Sequence, residues 1–124
     1  MANAINWFEI PAKDLGRASD FYGKVLEAEL QQMEVMGNQM AFLPGDGTKG
    51  DVTGAVCMGE GYVPSSDGAL IYLSGGDDLG NPLSRVEDAG GKVMMPKTKI
   101  SDEIGYMAIF LDSEGNRVAF HSPS

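Results

Sequence analysis

Few residues in this chain could move a proton, attack a substrate or bind a metal. His121 is the single histidine and Cys57 the single cysteine among 124 residues. With one His near the end of the chain, no Ser-His-Asp or Cys-His arrangement can be argued. Cys57 has no neighbouring base or helix N-terminus in the sequence, so an inert buried thiol is expected, and no intrachain disulfide can form. Glu9 is more informative. It lies in the apolar stretch Ile5 to Pro11, and period-two alternation puts it on the same strand face as Trp7, with Phe8 and Ile10 opposite. A carboxyl buried beside an indole would titrate high and could serve as acid or base. An ionised one would suit a cationic ligand, and the plain alternative is a solvated or ion-paired carboxylate. His121 shares a predicted face with Arg117 and Ala119, either at a cleft mouth or simply at the surface. Lys97 and Lys99 either rim a cleft or guard an edge strand. The stretch Gly45-Asp46-Gly47 to Gly50 lacks the spacing and the following helix of a phosphate loop.

The elements that must position these residues read as one order, used twice. Ile5 to Pro11 is a strand. Asp14 caps a helix over about 15–26, whose Leu15, Ala18, Phe21, Tyr22, Val25 and Leu26 recur at helical spacing. Strands follow at roughly 28–36 and 38–43, turning at Gly37-Asn38, then a loop over 44–51 and a strand from Val52 to Met58. After a linker at 59–68 come a strand (Ala69 to Ser74) and a helix capped by Asp77-Asp78, carrying Leu79, Leu83, Val86 and Ala89 and ended by Gly90-Gly91. An extended segment over 92–99, bent at Pro96, precedes strands at 105–111 and 117–121. Asp14-Leu15-Gly16 recurs as Asp78-Leu79-Gly80, and Met40-Ala41-Phe42 as Met107-Ala108-Ile109, in the same order and equivalent slots. Such a repeat implies a duplicated β-α-β-β-β unit with a small-molecule cleft where the units meet.

Composition narrows the classes. The formal net charge is −9, from 18 acidic and 9 basic residues, which argues against nucleic acid as a partner. No run of 18 apolar residues exists, so no membrane span is expected. The opening residues lack the basic and apolar regions of a signal peptide, and a reducing cytoplasm is the expected location.

Trp7 through Leu26, with Asp14-Leu15, Arg17-Ala18 and Phe21-Tyr22, resembles the first unit of the vicinal oxygen chelate superfamily. Ala89-Gly90-Gly91 and Asp112-Ser113-Glu114-Gly115-Asn116 resemble its second unit. That superfamily includes glyoxalase I, bleomycin resistance proteins and extradiol dioxygenases. The resemblance implies an α+β fold: one domain over 1–124, with module one at about 4–60 and module two at about 68–122. The two βαβββ modules would form one eight-stranded, cup-like mixed sheet with helices outside. It also implies a homodimer, since members commonly pair.

Metal-dependent members carry ligands, typically His and Glu, on strands one, four, five and eight. Carried over, these positions fall on Trp7, near Val56 to Met58, on Ile71 and on Ala119. None of these side chains is a His, Asp or Glu, so neither a family metal centre nor any other cofactor is expected. The expected site therefore comprises Trp7, Glu9, Ile71, Ala119 and His121, binding or sequestering a small, partly apolar molecule. The alternative is a glyoxalase-like lyase or isomerase that uses Glu9 or His121 as acid or base.

Overall fold

The computed structural model describes residues 4–46 and 49–124, so residues 47 and 48 of the expected 44–51 loop lie outside it. The chain runs β1 (Trp7–Pro11), α1 (Leu15–Leu26), β2 (Gln31–Val35), β3 (Asn38–Phe42), β4 (Thr53–Met58), β5 (Ile71–Ser74), α2 (Gly80–Leu83), β6 (Lys92–Ser101), β7 (Gly105–Leu111) and β8 (Arg117–Ser122). The two βαβββ modules are present. Their strands form two separate four-stranded sheets, β1-β4-β3-β2 and β5-β8-β7-β6, in place of one continuous eight-stranded sheet. In each sheet the first strand pairs in parallel with the last, and the other pairings are antiparallel.

Helix α1 has the expected boundaries because its end signals and apolar stripe agree. The Asp14 carboxylate accepts from the Arg17 amide at 3.1 Å, and Leu15, Ala18, Phe21, Tyr22 and Val25 are buried along one side. The second helix is much shorter than expected. Gly80 and Pro82 are weak helix formers, and after one turn the bonding tightens, with Arg85 and Val86 amides donating to the Pro82 and Leu83 carbonyls. The β2–β3 turn also falls one residue earlier than expected. Val35 pairs with Asn38, so Met36-Gly37 is the two-residue loop, with φ of 53° and 84°.

Phe21 on α1 lies 4.9 Å from Tyr22 and 6.0 Å from Phe110 on β7, and Phe110 lies 5.0 Å from Phe120 on β8. These rings share one core with Ile10, Val56 and Leu73. Gly91 is needed there, because a Cβ would meet the Phe21 ring at 2.7 Å. Helix α1 also packs on β3 and β4. Helix α1 thus packs against strands of the first sheet and, through Phe21, against Phe110 of the second.

The turn between β7 and β8 fixes this arrangement. Buried Asp112 accepts from the Glu114 and Asn116 amides through Oδ1, and from the Tyr22 hydroxyl at 2.7 Å and the Asn116 side-chain amide through Oδ2. Asn116 also donates to the Pro11 carbonyl at 2.7 Å. Glu114 accepts from the Lys13 and Asp14 amides and from Arg17 Nε at 2.6 Å. A turn of module two thus satisfies amides at the start of the module one helix.

Two outcomes follow from these local energies. Left-handed backbone costs a residue such as Met about 1 kcal/mol, which Asn largely avoids. Met36 is 97% exposed and gives up no packing. Met36→Asn is therefore expected to raise the melting temperature by about 3–5 °C in a thermal scan. At Glu114, burial opposes ionisation. Hydrogen bonds from Arg17, the Asp14 and Lys13 amides and Ser113 outweigh it and hold the carboxyl at about 2, against an ordinary 4.5. The resulting stability is present above the unfolded value and lost as pH falls from about 4.5 to about 2. Arg17 is half exposed, which discounts the contribution to on the order of 2 kcal/mol. Glu114→Gln is expected to lose that amount in urea unfolding at pH 7, and the gap to wild type should shrink at pH 3.

Candidate functional site

Strand register sorts the side chains of each outward face. On the first sheet, Trp7 pairs with Thr53, Glu9 with Ala55 and Pro11 with Cys57. Met40 pairs with Cys57, Phe42 with Ala55, and Met33 with Met40. Met40, Ala55 and Cys57 form a small buried cluster distinct from the main core, with Val35, Phe42 and Tyr62 packed against it. The middle of this face is apolar around Glu9, with Gln31, Asn38 and Thr53 toward its margins.

The Glu9 carboxylate is held from two sides. Tyr62 OH donates to Oε1 at 2.7 Å, and Trp7 Nε1 donates to Oε2 at 3.3 Å. The Trp7 ring meets Phe42 edge-on at 6.2 Å and 64°. The hydrogen bond to Glu9 is the main reason the Tyr62 hydroxyl is pushed up to about 12. Burial, then the Glu9 charge, push the Cys57 thiol up to about 11. Cys57 therefore stays protonated at neutral pH and is a poor nucleophile, as its sequence context implied.

Tyr62 was not among the residues singled out from sequence. It sits in the linker, where neither strand alternation nor helical spacing reports which way a side chain points. The one available signal is an aromatic residue within the Gly-Pro-rich run Gly59 to Pro64.

The second sheet turns Tyr72, Ser74, Arg117, Ala119, His121, Met107 and Ile109 outward by the same reasoning. Tyr72 pairs with Ala119, whereas Ile71 pairs with Val118 and packs against the core. The outward position on β5 is thus Tyr72, and Ile71 lies on the face opposite Ala119. His121 Nε2 sits 2.6 Å from the Ile104 carbonyl oxygen. Trp7 and Glu9 lie on one sheet, and Ala119 and His121 on the other. Among the described residues, no hydrogen bond joins the two groups.

Residues of β1, β5, β8 and the linker between the modules come together around one cavity. It measures about 170 Å³ and is lined by Glu9, Ile10, Val63, Ile71, Asn116, Arg117 and Val118. Glu9 and Ile71 thus share a wall. Elsewhere, Lys97 pairs with Asp78 at 2.8 Å and lies over the Tyr106 ring at 4.7 Å, while Lys99 pairs with Asp102. These lysines belong to the edge strand.

The donor set tests poorly against a metal. The positions carried over from metal-dependent relatives offer the Trp7 indole, the 56–58 stretch with its Cys57 thiol, Ile71 and Ala119, with Glu9 nearby on one sheet and His121 on the other. Among the described residues, no three His, Cys, Asp or Glu side chains are grouped to hold an ion. A His-and-Glu centre does not fit these residues. Among them also, no helix is long and apolar enough to cross a membrane.

A family model for the Glyoxalase/Bleomycin resistance protein/Dioxygenase superfamily matches residues 4–120, and the chain belongs to that superfamily. An E144Q mutant of glyoxalase I from Zea mays is 22% identical, with a TM-score of 0.74 over 94% of this chain and 46% of that one. The present chain thus spans less than half the length of the maize protein. TnmS3, an antibiotic binding protein from Streptomyces sp. CB03234, is 22% identical, with a TM-score of 0.65 over 98% of this chain and 97% of that one. A family enzyme from Burkholderia phytofirmans PsJN is 16% identical, with a TM-score of 0.69 over 96% and 98%. No curated protein matches the chain. At these identities the solved structures speak to fold alone.

The hydrogen bond between Tyr62 and Glu9 has a spectroscopic consequence. In a 295 nm titration, the last resolvable phenol below denaturation should shift to lower pH in Glu9→Gln. In the native wild type, Cys57 should resist a disulfide reagent at pH 8 and react fully once unfolded.

Proposed function

We propose that the chain is a metal-independent member of its superfamily that binds and sequesters a small molecule. The supporting observation is the Glu9 carboxylate, held by Tyr62 and Trp7 beside an apolar cluster on the sheet face. Such a surface, mostly apolar with one placed polar group, is suited to holding and orienting a ligand. An antibiotic binding protein with the same fold over nearly its whole length is in keeping with this reading.

The site is completed by a second copy. Each outward face is only half of a cup, and the two faces of one chain diverge. Trp7 and Met33 are exposed on the first, Tyr72 and Met95 on the second. Pairing the first face of one copy with the second face of another would cover these side chains and enclose Glu9. A ligand would then meet Trp7, Glu9 and Tyr62 from one protomer, and Tyr72 and His121 from its partner, with Ala119 buried beneath them. The single cysteine, kept as a thiol, suits a cytoplasmic setting.

The enzymatic alternative rests on the same pair, since Tyr62 and Glu9 are a proton donor and acceptor 2.7 Å apart. Metal dependence and turnover separate the two readings. Under the binding reading, EDTA, Ni²⁺ or Zn²⁺ leaves the melting temperature unchanged, and sedimentation gives a dimer that Tyr72→Glu weakens. A metal-induced rise in melting temperature together with turnover of a glutathione hemithioacetal would establish the enzyme instead.

A further inference from the structure

The small-molecule reading leaves the ligand's chemistry open, and the surroundings of Glu9 narrow it. Tyr62 and Trp7 present their O–H and N–H edges to the two carboxylate oxygens, at 2.7 and 3.3 Å. Both rings therefore stand beside the negative charge with their polar edges toward it. Phe42 adds a third ring beside Trp7, and Trp7 remains 39% exposed, so its indole is open to a ligand. Ring faces carry negative potential and attract cations, most strongly at Trp. The wider protein carries a formal charge of −9, which concentrates cations near the surface. Arg117 lines the same cavity as Glu9 but, among the described residues, closes no ion pair with it, so the Glu9 charge is not neutralised by a direct contact.

We infer, building on the binding function proposed above, that this face takes a small organic cation bearing a methylated ammonium group. Such a group has no N–H to donate and a greasy methyl shell. It needs nearby charge and a π face and makes no demand on a hydrogen-bond acceptor. Glu9 supplies the charge, the exposed Trp7 indole supplies the face, and Phe42 is an apolar neighbour for the methyls.

The test compares choline with 3,3-dimethylbutan-1-ol, its neutral counterpart of the same shape, by isothermal titration calorimetry on the full chain. The charged probe is expected to bind about tenfold tighter. Glu9→Gln should bring the two affinities together, and Trp7→Leu should weaken choline more than the alcohol. Circular dichroism and melting curves confirm that each variant is folded. Glu9→Asp, which keeps the charge, should retain the preference for choline. Equal affinities in the wild type would overturn the cation inference while leaving a small-molecule site intact. An unchanged preference in folded Glu9→Gln would likewise overturn it. Failure of both probes to bind at their highest soluble concentration would overturn the cation inference and count against a site on this face.

Discussion

The buried carboxylate of Asp112 is the constraint on which the rest of the molecule depends. It accepts four hydrogen bonds: two from amides of its own turn, one from the Asn116 side chain and one from Tyr22 on the module one helix. A buried charge is tolerated only when its acceptor sites are filled, so the turn cannot form well without the helix beside it. Burial, then the neighbouring Asp112 charge, push the Tyr22 hydroxyl well above its ordinary range, so it remains a donor. Glu114 and Asn116 extend the connection to Lys13, Asp14 and Pro11. Two sheets with no mutual backbone pairing are thereby held at a fixed angle.

That tie bears on where ligand chemistry can occur. With α1 packed on the inner side, the outward faces carry much of the apolar surface grouped on strands and open to a ligand or a partner. The first face gathers an acid and three aromatic rings, and the second gathers Tyr72, methionines, Arg117 and His121. Neither is enclosed by the chain alone.

Much of this was legible in the sequence where two local signals agreed. Helix α1 had both a cap and an apolar stripe, and its limits were read correctly. The repeat order and the pairing of Trp7 with Glu9 on one face followed from alternation and from motif recurrence. Reading failed where only one signal was present. Leu79, Leu83, Val86 and Ala89 have helical spacing, but Gly80 and Pro82 shorten the helix to one turn. Counting back from Asp78 assigned Ile71 to the outward face, although pairing with β8 assigns Tyr72. A single-residue slip reverses every side chain on a strand, and β5 has only four residues in which to show its alternation. Tyr62 was illegible for another reason. Its position depends on how the linker crosses the sheet, which no periodicity encodes.

The helix-capping role of the β7–β8 turn also bears on how the molecule is made. The amides of Lys13 and Asp14 wait for a carboxylate about a hundred positions downstream. A nascent chain emerging from the ribosome could form α1 and the first sheet early. Their shared interior would still lack Phe110, Phe120 and the closing turn. Long sequence separations of this kind slow the productive step and prolong the exposure of unfinished apolar surface. Folding of this domain is therefore expected to wait until β7, β8 and the turn between them are available to pack against the first module.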